Sequence, residues 1–463
     1  MSAENDSVLE VTPDGPYTPP VRPGNEPFHP IDDERTASTM ALFKQRMNGI
    51  ALNPRSRGLT PRPASSFSSL AAIRLAACGL LSAGWLAAPE KSLAQGCVAV
   101  RGCANPLSLS EGVRPEDAAL SGGDWLASIS YRWLRSHRHF VGDEEQTYRQ
   151  ADGTQIINNS HFIDLGVQYA VTPRYSVSFT LPIATSERSQ RVLNKPESPT
   201  PAFNSTFFYS PQNVRYHTES SGIGDIRLGG YAWLWNPTVP RKGNIQLGVS
   251  LKAPTGDDGL TGTFYSTNGP TVKTLDQSIQ PGDGGWGFAL EANAYQEIFP
   301  RMVAFAQASY LFNPENQNGV LTWRDNSTTK PGVVTATPKQ ASYYEHFMSV
   351  PDQYFGRAGL AYTIVPKWGL AVTAAGRIEG VPVEDVLGGS DGFRRPGFAV
   401  SFEPGLVWMK GRYNLNVSMP LALYRNRERS IADQKASAAS GNDVHGDAAF
   451  ADYVLTLSFA VRF

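Results

Sequence analysis

From Gly123 onward the chain repeatedly alternates apolar side chains with small or polar ones. In "YSVSFTLPI", Tyr175, Val177, Phe179, Leu181 and Ile183 share one parity, and Ser176, Ser178, Thr180 and Pro182 the other. "IQLGVSLKA" (245–253), "YNLNVSMPLAL" (413–423) and "YVLTLSFAVRF" (453–463) repeat the pattern. A period of two is that of a strand with two unlike faces, not of a helix. Weaker stretches of the same kind fill the intervals at 125–133, 162–171, 224–235, 286–299, 301–312, 354–365, 368–379 and 398–409, which makes twelve.

The joints between these segments fall into two alternating classes. Short turns ("TPR" at Thr172–Arg174, "FPR" at Phe299–Arg301, "VPK" at Val365–Lys367, "KG" at Lys410–Gly411, and "NPTVPRKG") alternate with long polar connections at 136–160, 186–221, 254–285, 313–352, 380–396 and 425–449. Short turns on one rim, long loops on the other and an even strand number describe an all-β, antiparallel up-and-down transmembrane barrel of about twelve strands. Trp125, Trp133, Trp233, Trp235, Trp286, Trp368 and Trp408 fall near expected strand ends, where indoles sit at a membrane interface. The same residues would serve as the core of a soluble sandwich, but the strict alternation of turns favours the barrel.

Parity also sorts the charges. Asp164, Asp225, Arg227, Lys252, Glu291, Arg357, Arg377, Glu379 and Glu403 all fall on the side that would face the lumen. Facing lipid instead, each basic one near the midplane would cost about 2–4 kcal/mol, so this assignment is strongly preferred. Acids and bases nearly balance, which argues against a single-sign filter. Two roles are open to them: contact with a solute, or ion-pair ladders that brace the wall.

Upstream, "AAIRLAACGLLSAGWLAAPEKSLA" (71–94) has a basic residue, an apolar run too short to span a bilayer and a small-x-small ending, the form of a secretory signal peptide. Expected boundaries are therefore 1–68 for a disordered extension, 69–94 for the signal, 95–122 for a periplasmic segment and 123–463 for the barrel. The extension is either an over-long start, with translation from Met40 or Met47, or a genuine Pro-rich tail. Cleavage after Ala94 would leave Cys97 and Cys103, which suit a small disulfide loop in an oxidising compartment; a lipid-modified Cys97 is the rival.

A formal charge of −1 gives no basic excess for nucleic acid. No Gly-x-Ser-x-Gly, HExxH or CxxC motif is present, and His137, His139, His161, His217, His346 and His445 have no shared spacing, so no catalytic residue, metal or cofactor is expected. "HRH" at 137–139 reads as an exposed polar loop, and "GDDG" (256–259) and "QPGDGGWG" (280–287) as Gly-Asp turns rather than Ca²⁺ sites.

"SGIGDIRLGGYAWLW" followed by "NIQLGVSLKAPTGDD" resembles the outer-membrane family named for the MetA pathway of phenol degradation, over about 123–463. The resemblance implies a porin-like barrel that passes small molecules, aromatic or hydrophobic compounds among them, and marks Gly222, Gly224, Asp225, Pro254, Thr255 and Gly256. Gly222 and Gly224 are expected to form a tight periplasmic entry to their strand, and Pro254 to end pairing near the outer rim. "YVLTLSFAVRF" also resembles the signal that such barrels present to their assembly machinery, with Tyr453, Leu455, Leu457, Phe459, Val461 and Phe463 facing outward. The partners expected are thus outer-membrane lipid, that machinery and a small solute, with aromatics of "FNSTFFYSPQNVRYH" (203–217) near the mouth. A non-conducting structural or adhesive barrel, and an outer-membrane hydrolase with Ser and His on its wall, are the alternatives.

Overall fold

The computed structural model describes residues 120–191, 193–194, 208–209, 215–266, 269–323 and 337–463. The extension, the secretory segment, both Cys97 and Cys103, and most of the 203–217 stretch lie outside the described residues.

The wall is a closed antiparallel barrel of twelve strands. In chain order they are β1 (Trp125–Val141), β2 (Ile157–Ala170), β3 (Tyr175–Arg191), β4 (Arg215–Ile223 and Arg227–Trp233), β5 (Gly243–Lys252) and β6 (Gly287–Phe299). There follow β7 (Met302–Phe312), β8 (Gln353–Val365), β9 (Leu370–Val381), β10 (Gly397–Lys410), β11 (Tyr413–Ser418 and Leu421–Asn426) and β12 (Ala448–Arg462). Each strand pairs with its neighbours in sequence, and β12 returns to β1 from Leu126↔Arg462 to Phe140↔Ala448. Trp125 N donates to the Phe463 carbonyl at 3.3 Å and Phe463 N to that of Trp125 at 2.8 Å. Closure leaves no unpaired strand edge, the condition for a sheet surrounded by hydrocarbon.

The faces are reversed relative to a water-soluble protein. Outward Val177, Phe179, Leu247, Val249, Leu251, Leu290, Leu360 and Leu406 are exposed, while inward Ser176, Ser178, Gln246, Ser250 and Ser401 are buried. On β3 the outward apolar run from Tyr175 to Ile183 spans roughly 20 Å after tilt, close to the ~25 Å apolar band of such barrels. Trp125, Trp235 and Trp368 are exposed at the short-turn end, Trp286 at the other. On β12, Tyr453, Leu457 and Phe463 are exposed, Leu455, Phe459 and Val461 partly so, and Val454, Ser458 and Ala460 are buried, so the expected parity is the one adopted. No helix among the described residues is long and apolar enough to cross a membrane.

Short turns fall where "TPR", "FPR", "VPK" and "KG" stand. In the third, Gly369 takes φ 67°, and a Cβ there would lie 1.7 Å from the Met409 carbonyl oxygen, so only glycine fits.

Two expectations are corrected. β1 to β4 run well past the expected loop boundaries, because their upper parts keep strand pairing after the outward face turns polar. The "HRH" stretch therefore lies in β1 and not in an exposed loop: His139 is 4% exposed, held by Asp447 at 2.6 Å and accepting from Ile156 N at 2.9 Å. Gly222 and Gly224 do not form a periplasmic entry either. β4 descends from the loop side, and Gly224–Ile226 interrupts it partway down the wall. Pro254 does lie just past the loop-side end of β5.

Candidate functional site

The loop-side mouth is filled by its own connections. Within residues 254–285, Leu275, Asp276, Ile279 and Gln280 are buried, and from the neighbouring loops so are Met348, Val350, Phe393 and Arg394. Asp276 is the hub of this plug. Its carboxylate accepts from Arg188 on the inward face of β3 at 3.1 Å, from Arg395 in the β9–β10 loop at 2.8 and 2.7 Å, and from Trp323 Nε1 at 3.2 Å. Burial alone would raise the Asp276 carboxyl, but the two guanidiniums hold it well below the usual carboxylate range. Alongside, Gln277 donates to the Ser349 carbonyl at 2.6 Å, and Arg394 pairs with Asp385 at 2.6 Å with both side chains inaccessible.

The foot of the plug rests on the break in β4. Thr255 Oγ1 accepts from Ile226 N at 3.0 Å and donates to the Gly224 carbonyl at 2.9 Å, standing in for a missing strand neighbour. The Asp225 carboxylate accepts from Gly256 N and Asp283 N, both at 3.1 Å, and Lys252 Nζ reaches the Asp283 carboxylate at 2.6 Å. A Cβ on Gly256 would lie 2.8 Å from Gly282 Cα and 2.9 Å from Gly224 Cα, so three backbones meet there. The "GIGD" and "PTG" stretches, 30 residues apart, thus form one knot that also receives "PGDG" of the plug.

Below the plug lies a small cavity of about 60 Å³, partly open to solvent. Arg132, Phe162, Asp164, Asp225, Arg227, Tyr231, Lys252, Asp283 and Glu291 line it. Glu291 accepts from Ser250 at 2.8 Å and Tyr231 at 3.2 Å. Arg132 lies 4.8 Å over the Phe162 ring, and the charges of Arg132 and Arg227 act on Asp164.

The nine charges expected to face inward therefore divide. Asp164, Asp225, Arg227, Lys252 and Glu291 are at the cavity. Arg357, Arg377, Glu379 and Glu403 form a buried ladder across β8, β9 and β10: Arg357–Glu403 at 2.6 Å, Arg377–Glu403 at 3.3 Å and Arg377–Glu379 at 2.7 Å. Each acid of the ladder is bound to an arginine, so it braces the wall. Sequence reasoning missed Arg132, although it stands on the inward parity of β1, and Arg188, because β3 was ended too early. Asp276 and Arg395 carry no signal, since loop residues have no parity to read, and Asp283 is marked in the sequence only as part of a Gly-Asp turn.

The described histidines make no hydrogen bond to a serine. His139 binds Asp447, His161 Nδ1 is 2.7 Å from Tyr131 Oη on the outer face, His217 contacts Glu187, and His445 reaches the Arg427 carbonyl.

No family model matches the chain, and no curated protein does. Among solved structures, the chain is similar to an outer-membrane channel from Pseudomonas putida F1, at 12% identity and a TM-score of 0.43, over 74% of this chain and 97% of that one. The translocator domain of autotransporter NalP from Neisseria meningitidis matches at 10% identity and 0.34, over 74% and 90%. The P. putida toluene transporter TodX matches at 10% identity and 0.36, over 78% and 93%.

Proposed function

We propose that the protein is an outer-membrane channel for the passive passage of small molecules, aromatic and other hydrophobic compounds among them. The observation that carries this reading is the cavity: a closed, externally apolar wall surrounds unfilled space beneath a plug made of loops rather than of packed wall side chains. A barrel built only to brace or adhere gains nothing from such space, whereas a solute route needs it. Mixed charge along the lining favours no ion of one sign, and Phe162 and Tyr231 offer ring faces to an aromatic solute. The plug holds the resting mouth narrow, and a solute passes when it loosens.

Residues 69–94 would direct export, with Cys97 and Cys103 pairing in the periplasm. The outward row Tyr453, Leu455, Leu457, Phe459, Val461 and Phe463 would be read by the assembly machinery. Deleting Phe463 should then lower the yield of inserted barrel more than it lowers the stability of barrel already inserted. Purified protein in planar bilayers should give discrete conductance steps. A barrel that migrates as folded on unheated gels yet stays silent in every bilayer would sink the channel reading.

A further inference from the structure

The outer wall is not equally tall all round. On β1 to β4, register places residues in rows across the outside: Tyr131, Ile163, Ile183 and Ile223, then Trp133, His161, Thr185 and Ser221, then Arg135, Asn159, Glu187 and Glu219. Further up, Ser189 pairs with His217 and Arg191 with Arg215. The apolar belt ends at the first of these rows on β2 to β4 and at Trp133 on β1, and above it the wall continues as a polar panel. β5 and β6, by contrast, stop at the paired Lys252 and Gly287.

A groove of about 300 Å³, open to solvent, runs over this panel, lined by Asn159, His161, Thr185, Glu187, Glu219 and Ser221. Arginines stand around it. Arg215 donates to Ser189 Oγ at 2.9 Å and to the carbonyls of Gly153, Gln155 and Ser189 at 3.1, 2.9 and 2.9 Å, never to a carboxylate. Arg191 donates to the Asp152 carbonyl at 2.6 Å, and the charges of Arg191 and Arg135 both act on Arg215. The result is three arginines set around Glu187 and Glu219 on the outside of the barrel, continuous with the lipid-facing belt.

We propose that this panel binds the phosphorylated oligosaccharide headgroup of a glycolipid in the surrounding leaflet. Height selects the class. Along tilted strands, the Arg135 row stands roughly 10 Å above the last apolar row and the Arg191–Arg215 row roughly 20 Å above it. The polar layer of an ordinary phospholipid is only about 5–8 Å deep on each side, so it cannot reach the upper arginines. A chain of sugars can, with its hydroxyls bonding to Asn159, Thr185, Glu219 and Ser221 and its phosphates to the exposed Arg135 guanidinium, while Arg191 and Arg215, which also hold backbone carbonyls, add positive charge beside it.

The inference rests on the outer-membrane reading above, and the test separates the two. Full-length protein purified in detergent is titrated with rough-type lipopolysaccharide, with the same lipid enzymatically dephosphorylated, and with phosphatidylglycerol, while complexes are counted by native mass spectrometry. The parent should retain the phosphorylated glycolipid at least about tenfold more tightly than either comparator. Arg135→Gln with Arg191→Gln and Arg215→Gln should lose about tenfold, with folded gel migration and conductance unchanged. Should the triple variant fail to fold, R135Q alone touches only an exposed side chain and should still lose about threefold. Equal retention by parent and R135Q, or equal retention of the dephosphorylated lipid or phosphatidylglycerol, overturns the panel's assignment while leaving a conducting barrel intact. A parent that neither inserts nor conducts overturns both.

Discussion

Asp276→Asn is the most exacting perturbation of the plug. The substitution keeps the side chain's size and one acceptor oxygen, so one of two donors, the Ser278 backbone at Oδ1 or Trp323 Nε1 at Oδ2, can still be served. It removes a carboxylate that Arg188 and Arg395 share, in a place where the Asp276 side chain is 0%, Arg188 3% and Arg395 10% exposed. Removing one partner of a buried ion pair costs about 3–5 kcal/mol, because the remaining charge is left desolvated without its counterpart. The loosened plug lets water reach both guanidiniums, so this cost falls on the closed mouth. Taking the lower end, since asparagine retains part of the hydrogen bonding, the open population should rise roughly a hundredfold at 1.4 kcal/mol per tenfold. In planar bilayers the variant should show frequent long openings to a larger level where the parent shows rare ones. Asp391→Asn is the matched control: Asp391 pairs with Lys435 at 2.6 Å, but with about half of each side chain exposed, so its loss is worth at most about 1 kcal/mol. If D276N and D391N gate alike while both migrate as folded, the plug is not held by this carboxylate.

Three further outcomes are expected. With its folded value depressed well below the ordinary carboxyl range, Asp276 contributes closure that is fully present above that range and lost only as pH falls through the depressed value. The difference in opening frequency between the parent and D276N should therefore stay constant from neutral to about pH 4 and shrink only in stronger acid; a difference that shrinks between pH 6 and 5 would contradict it. Glu403→Gln removes the carboxylate that Arg357 and Arg377 share, leaving Arg377 with Glu379. It should cost about 3–5 kcal/mol, read as a lower urea midpoint for barrel in lipid vesicles, with solute selectivity unchanged. Gly256→Ala forces a methyl between the backbones of Gly224 and Gly282 and should cost about 1–3 kcal/mol in the same assay, with a raised opening frequency because the foot of the plug shifts.

The wall was legible in the sequence because lipid and lumen impose opposite demands on alternate residues, so "YSVSFTLPI" declares both faces at once. The short turns were legible for a related reason: Pro and Gly at "TPR", "VPK" and "KG" leave few other conformations. Above the belt that logic fails. "ATSERSQR" of β3 is polar on both faces, since water and loops replace lipid outside, and its strand character comes from pairing with β2 and β4 rather than from its own pattern. Inward charges could be assigned to the lumen by parity, yet parity could not tell Glu291 at the cavity from Glu403 in the bracing ladder. The difference depends on which strands are neighbours around the ring. The hub of the plug was illegible altogether. Nothing local distinguishes Asp276 from any other loop aspartate; Arg188 and Arg395, 88 residues before it and 119 after, reach it only once the barrel has closed.

The central claim is that this barrel gives small solutes a passive way through a membrane. It is tested most directly by the swelling of proteoliposomes, loaded with purified full-length protein, in isosmotic solutions of neutral solutes of increasing size, with a small aromatic alcohol among them. Swelling faster than in protein-free vesicles for the smallest solutes, falling off with size and accelerated by D276N, is the result predicted. Rates equal to those of protein-free vesicles for every solute, from barrel shown to be folded and inserted, would contradict it.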